Sequence, residues 1–181
     1  MQQQLKQDME FDNNEGIKGT VTTAAAAGLD KDMAAFVGKN VEYYAGKWSA
    51  KDKNGNIKPT WNVAAFFGGP VWFAYRKMYW QAVAVFVGGT FLNLLLGLMS
   101  DSLGEVSSYA LMFAWAFSGN LIYRAHVEKA VERIKAEVLL PGERAEQLKL
   151  RGGTSAMAGW IASAVSLAIL IFSVWSMIGA V

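Results

Sequence analysis

The sequence predicts an all-α integral membrane protein, with three transmembrane helices preceded by a cytoplasmic amphipathic helix and a short interfacial helix. Three uncharged runs carry that prediction. Gly152 to Val181 holds no Asp, Glu, Lys, Arg or His over 30 residues, Met78 to Ser100 none over 23, and Val106 to Tyr123 none over 18. A helix of about 20 apolar residues crosses a hydrocarbon core about 30 Å thick. Charged residues make up 18% of the chain, against about 25% in soluble domains. They concentrate in the first 58 residues and in 124–151.

Composition also excludes some chemistry. The chain has no cysteine and one histidine, His126. That leaves no disulfide framework, no thiolate or multi-histidine metal site and no cysteine nucleophile. A net charge of +2 gives no global basic field for nucleic acid. The first 16 residues contain no apolar core of a signal peptide, so insertion is expected to use internal segments.

Residues 1–29 read as a flexible cytoplasmic tail, polar and then Thr/Ala-rich. Residues 30–58 read as a cytoplasmic amphipathic helix and loop. Met33, Phe36, Val37, Val41 and Tyr44 recur at helical spacing, which predicts a helix over 31–47. Asp30 is its expected N-cap and Gly46 its expected stop. Ala50 to Pro59 reads as a turn-rich basic loop. Asn54-Gly55 suits a hairpin turn, but no strand pattern flanks it.

The membrane domain is expected over 59–181. It opens with an interfacial helix over 60–67 carrying Trp61, Phe66 and Phe67. Gly68-Gly69 breaks that helix, and Pro70 starts a single long helix reaching Met99, the first span occupying about 77–99. Its first turns lie at the membrane surface. Trp72, Tyr75, Tyr79 and Trp80 form an aromatic belt there, and Arg76 and Lys77 reach lipid headgroups. Ser100 to Glu105 reads as a short acidic turn, followed by spans over about 106–123 and 154–178. The cytoplasmic loop between them, 124–151, carries seven Lys or Arg, and Val127, Val131, Ile134 and Val138 share one face, so it is expected to begin as an amphipathic continuation of the second span that Pro141-Gly142 ends. The Lys/Arg asymmetry places the N-terminus and this loop in the cytoplasm and the C-terminus outside.

No charged residue lies inside a span, which argues against proton relays and voltage sensors. Thr90 and Asn93 in the first span, and Ser118 and Asn120 in the second, either hydrogen-bond between helices or line a water path. Ser155, Gly159 and Ser163, with Ala158, Ala162 and Ser166 beside them, form small-residue seams on the third span. Such seams serve oligomerisation or packing within the chain. Lys149, Arg151 and Gly152-Gly153-Thr154-Ser155 put positive charge and backbone N–H groups near a helix start. That arrangement suits a phosphate such as a lipid headgroup, or serves only as topology charge and a cap. His126 reads as a surface residue. With no Ser/His/Asp set, paired-carboxylate pocket or metal spacing, the sequence predicts no enzyme and no cofactor.

Residues 61–79 resemble the signature of a family of small bacterial inner-membrane proteins described as a domain of unknown function. The matching positions are Trp61, Asn62, Ala64, Ala65, Phe66, Phe67, Gly69, Pro70, Trp72, Tyr75, Arg76, Lys77, Met78 and Tyr79. Asn120 with Tyr123, and Gly152-Gly153-Thr154-Ser155, are similar as well, and the resemblance spans about 36–160. Val63 and Gly68 depart from it, standing where aromatic residues are usual. The resemblance implies a bacterial inner-membrane location and supplies no activity.

The resulting expectation is a non-enzymatic module acting as a homo-oligomer or as an accessory subunit of a larger membrane assembly. Its partners would be membrane lipid and protein, not nucleic acid. Two alternatives remain open. One is a small transport or pore component lined by Asn93 and Asn120. The other is an anionic-lipid-binding protein using Arg76, Lys77, Lys149 and Arg151.

Overall fold

A computed structural model describes residues 29–179, without the side chains of Ser173 and of 176–179. Most of the expected tail, residues 1–28, and the final two residues, Ala180 and Val181, lie outside the described residues. Among the described residues the regular elements are all helices: α1 (Lys31–Val37), α2 (Val41–Ser49), α3 (Val63–Gly68), α4 (Pro70–Tyr75), α5 (Tyr79–Met99), α6 (Asp101–Glu137), α7 (Pro141–Arg151) and α8 (Ala156–Gly179). The described residues form two compact units, 29–59 with Asn120–Gly153, and Thr60–Gly119 with 154–179. The long helix α6 contributes to both.

The first unit buries an aliphatic and aromatic core. Phe36, Val37, Val41, Tyr44, Ala45 and Trp48 pack with Tyr123, Val127, Val131, Ile134 and Leu148. Tyr44 meets Tyr123 edge to face at 4.8 Å, and Trp48 lies 5.7 Å from the same ring, separations at which aromatic pairs attract. Three of the four residues expected on one face of 124–151, Val127, Val131 and Ile134, are in that core. The segment therefore begins as the amphipathic helical continuation its apolar face implies. It continues α6 to Glu137, and Pro141 opens α7 from the first helical turn, where its missing N–H costs nothing.

The helix expected over 31–47 is two helices. Asp30 caps the first, accepting from the Asp32 N–H at 3.2 Å. Gly38 then turns the chain at φ 62°, and Asn40 follows at φ 65°. Both conformations are left-handed, open to Gly and tolerated by Asn. Gly46 does not stop the second helix, which runs to Ser49. Burial of Tyr44, Ala45 and Trp48 around it outweighs the roughly 1 kcal/mol that one helical Gly costs. After α2, Asp52 Oδ1 accepts from the Asn54 and Asn56 N–H groups, both at 2.8 Å, and closes a turn with a single antiparallel bridge between Lys51 and Ile57.

In the second unit α3 starts at Val63, three residues later than expected. Asn62 is its cap: Oδ1 accepts from the Ala65 N–H at 2.9 Å, and the Asn62 N–H donates to the Ala116 carbonyl at 2.9 Å. Pro70 starts α4, but α4 and α5 are not one helix. The Met78 N–H reaches back to the Phe73 carbonyl at 2.9 Å and the Lys77 N–H to Ala74 at 3.0 Å, with Lys77 at φ 60°. That is a Schellman ending whose left-handed position, usually Gly, holds a lysine. Met78, at the position from which such a motif makes its apolar contact, is buried. The Ser100–Glu105 turn also contracts: Ser100 alone separates α5 from α6, and Asp101 and Glu105 sit in the first turns of α6, where negative charge suits the helix dipole.

Two stretches are long and apolar enough to cross a membrane. Tyr79–Met99 reaches a mean hydropathy of 2.1 over 18 residues, and Pro141–Phe172 reaches 2.0, its apolar part being α8. Only 6% of each apolar stretch is buried within the chain. The 106–123 segment lies inside α6 and falls outside that pair.

Candidate functional site

Thr90, Asn93, Ser108 and Ser166 of the apolar helices line an open groove of about 740 Å³ in the second unit. It is formed by α5 from Val85 to Leu98, by Ser108, Leu111, Met112 and Trp115 of α6, and by Ser166 of α8, with Pro70 at one end and Asp101 at the other. Its floor exists because small residues let the helices approach. A Cβ on Gly104 would lie 3.2 Å from the Cα of Gly97, so only Gly fits there without a shift. The Trp115 indole fills the slot left by two glycines. A Cβ would stand 2.9 Å from it at Gly69 and 3.2 Å from it at Gly89.

Asn93 Nδ2 donates to Ser108 Oγ at 2.7 Å, joining α5 to α6 at the groove. Ser108 Oγ donates in turn to the Gly104 carbonyl at 3.2 Å. Thr90 and Leu94 flank Asn93 along the wall. A second cleft of about 380 Å³, almost wholly apolar, lies where Tyr79, Ala82 and Val83 of α5 face Ala158, Ala162 and Val165 of α8.

The structure redistributes the expected headgroup contacts. Trp72 and Arg76 are 5% and 3% exposed, so the protein's own side chains enclose them and lipid does not. Arg76 stands at the Schellman turn that ends α4, and the Trp72 ring packs on Gly119, where a Cβ would lie 3.5 Å from it. Trp61 is half-buried against Phe66, Phe113 and Phe117, with centroids 5.1, 5.9 and 5.1 Å away. Tyr75 and Lys77 are half-buried, and Tyr79 is exposed. In the first unit Lys149 is exposed, and Arg151 pairs with Glu137 at 2.6 Å.

The backbone of 152–155 is also spoken for. The Gly153 N–H donates to the Phe36 carbonyl at 2.7 Å, and the Ser155 N–H to the Tyr75 carbonyl at 2.8 Å. A Cβ on Gly152 would collide with the Phe36 carbonyl. Glycine is needed there for close packing, and the expected phosphate cradle loses those two donors. Of the small-residue seam, Gly159 packs on Tyr75, where a Cβ would lie 3.4 Å from the ring. Ser155 Oγ caps α8 by accepting from the Ala158 N–H at 3.2 Å, and Ser163 Oγ donates to the Gly159 carbonyl at 2.9 Å. Asn120 is 1% exposed, and its carbonyl accepts from the Trp48 indole.

The ionisable groups of the first unit form structural pairs. Lys135 Nζ bridges Asp30 at 2.9 Å and Asp32 at 3.1 Å. The bond to Lys135 holds the Asp30 carboxyl below its ordinary range, and the bond from Asp30 holds the Lys135 ammonium above its own. His126 lies against Phe36 with ring centroids 6.0 Å apart, and burial pushes its pKa down. Among the described residues no cluster of three or more His, Asp or Glu is placed to hold a metal ion.

Sequence reasoning missed Ser108, Trp115 and the Gly97/Gly104 contact. One signal was available. Asn93 precedes Ser100 by seven positions and Ser108 follows it by eight, so a tight hairpin at Ser100 sets the two side by side.

Comparisons with curated proteins and with solved structures return no match. A family model described as "Protein of unknown function (DUF2628)" matches residues 20–129, more than half of the sequence. The chain belongs to the DUF2628 family, whose function is unassigned.

Proposed function

We propose that this protein is a small non-enzymatic membrane module, acting by assembly with itself or as an accessory subunit, with α5, the 106–123 part of α6, and α8 as its three spans. The observation that carries the reading is the exposure of the apolar helices. Leu98, Phe91 and Phe172 are 79%, 65% and 66% exposed, and only 6% of the most apolar stretch of α5 is buried. A core helix of a water-soluble protein has the same composition but is covered by its own chain. Here lipid or a partner helix supplies the cover.

The third span is supported by length. Eighteen helical residues rise about 27 Å, close to the hydrocarbon thickness of about 30 Å. The Lys/Arg excess of 124–151 supports a cytoplasmic N-terminus and an outer C-terminus, in a membrane such as the bacterial inner one.

The test is fractionation of cells expressing the full chain, followed by mild-detergent purification. The expected result is a protein retained in alkaline-washed membranes, which purifies in fixed stoichiometry with itself or one other protein. A reporter on Val181 should be active outside the cytoplasm. A protein released by the alkaline wash, or a reporter active in the cytosol, overturns the reading.

A further inference from the structure

We propose that the groove of the second unit docks a second copy of this chain, with Thr90 and Asn93 of the two α5 helices hydrogen-bonding across a two-fold axis. The inference deepens the membrane-module reading and rests on it.

Thr90 and Asn93 are the twelfth and fifteenth of the 21 residues of α5, so they stand near the middle of the span. Hydrocarbon at that depth offers no hydrogen bond, and an open donor or acceptor facing it is costly. The serine hydroxyls described within the other spans meet this cost internally. Ser118, Ser163 and Ser166 each donate to the carbonyl four residues back, and Ser108 is bonded on both sides. Among the described residues the Thr90 hydroxyl has no hydrogen-bond partner. Asn93 spends one N–H on Ser108, leaving its amide oxygen and second N–H open toward the groove.

Lipid tails can fill the volume but cannot bond these groups. A second copy brings the same donors and acceptors at the same depth, and an amide paired by two-fold symmetry both gives and accepts. The apolar edge agrees, because Leu94 and Leu98 stand beside the polar groups at 61% and 79% exposure.

The experiment uses the full chain in phospholipid vesicles. It contains no native cysteine, so single cysteines report contacts directly. Leu94→Cys, on the groove wall, should crosslink under mild oxidation. Phe91→Cys, exposed but off the groove, should not. In the Leu94→Cys background, Asn93→Leu should lower the crosslinked fraction about tenfold, since two symmetric bonds are lost together. Asn93→Gln should restore most of it. Thr90→Val, which leaves the Asn93–Ser108 bond in place, should lower it severalfold without lowering thermal stability.

Equal crosslinking at 91 and 94 overturns the proposal. So does a monomer in native mass spectrometry, with or without a retained lipid, or indifference to both Asn93→Leu and Thr90→Val. A chain that remains in alkaline-washed membranes as a monomer fails only this inference. A chain that leaves the membrane fails the underlying module reading as well.

Discussion

The indole N–H of Trp48 donates to the carbonyl of Asn120 at 2.9 Å, a buried bond between residues 72 apart in sequence. The Trp48 carbonyl accepts from the Arg124 guanidinium at 3.2 Å. Trp48 is thus held from both sides by one turn of α6, and Arg124 satisfies a carbonyl in the last turn of α2 that the helix itself cannot. Arg124 also pairs with Glu128 at 2.7 Å.

Trp48→Phe keeps most of the apolar contact and deletes the donor. A buried hydrogen bond contributes about 1 kcal/mol net, and the smaller ring leaves a gap beside Tyr123. The expected loss is about 1–3 kcal/mol in the first unit, read from thermal unfolding of the detergent-solubilised chain. Arg124→Gln should cost less, because that side chain is only half-buried.

Acid should loosen the first unit in two steps. His126 has its pKa lowered by burial, so the unfolded chain binds a proton first. Its contribution is complete above the ordinary value of 6.5 and fades as pH falls below it. Asp30 has a lowered pKa from its bond to Lys135. Its contribution is present above its ordinary 3.8 and is lost as pH falls further. Lys135, raised by the same bond, keeps its share until pH climbs past its ordinary 10.5. Melting temperature measured from pH 8 to 5 should decline for the native chain and stay flatter for His126→Phe. An unchanged slope in that variant would assign the acid response to another group.

Close helix approach makes Gly104 and Gly152 intolerant of bulk. At Gly104 even a methyl meets the Gly97 backbone at 3.2 Å, so Gly104→Leu must spread α5 from α6 and stretch the Asn93–Ser108 bond. Gly152→Ala meets the Phe36 carbonyl. Each should cost about 1–3 kcal/mol, seen as earlier unfolding in the same thermal assay. Gly88→Ala, with open space around it, is the matched control and should be neutral or mildly stabilising.

Gly159→Leu separates two meanings of the small-residue seam. Because Gly159 rests on Tyr75 of the same chain, the substitution should weaken the packing of α8 on α4 and lower thermal stability. A variant that melts normally but loses its partner would instead assign the seam to assembly.

Much of this architecture was legible in the sequence, for identifiable reasons. Uncharged runs marked α5 and α8, and helical periodicity marked Phe36, Val37, Val41 and Tyr44 as buried. Asp30 was readable as a cap because its chemistry is local. What escaped was set by tertiary contact or by an unusual residue in a familiar role. Lys77 occupies a position where glycine is the usual flag, so the break between α4 and α5 left no mark. Gly46 carried the flag of a helix end, yet neighbouring burial overrode it. The enclosure of Trp72, against Gly119 far along the chain, likewise left no local sign. In the groove, Asn93 stood out as a polar residue in an apolar run, whereas Ser108 needed the position of the hairpin before its role appeared.

The single residue at Ser100 has a mechanical consequence. With no slack between α5 and α6, neither helix can slide far along the other, so the two move as one hairpin. Asn93 and Ser108 stay in register across it, and a displacement of α5 carries the adjoining turns of α6 with it.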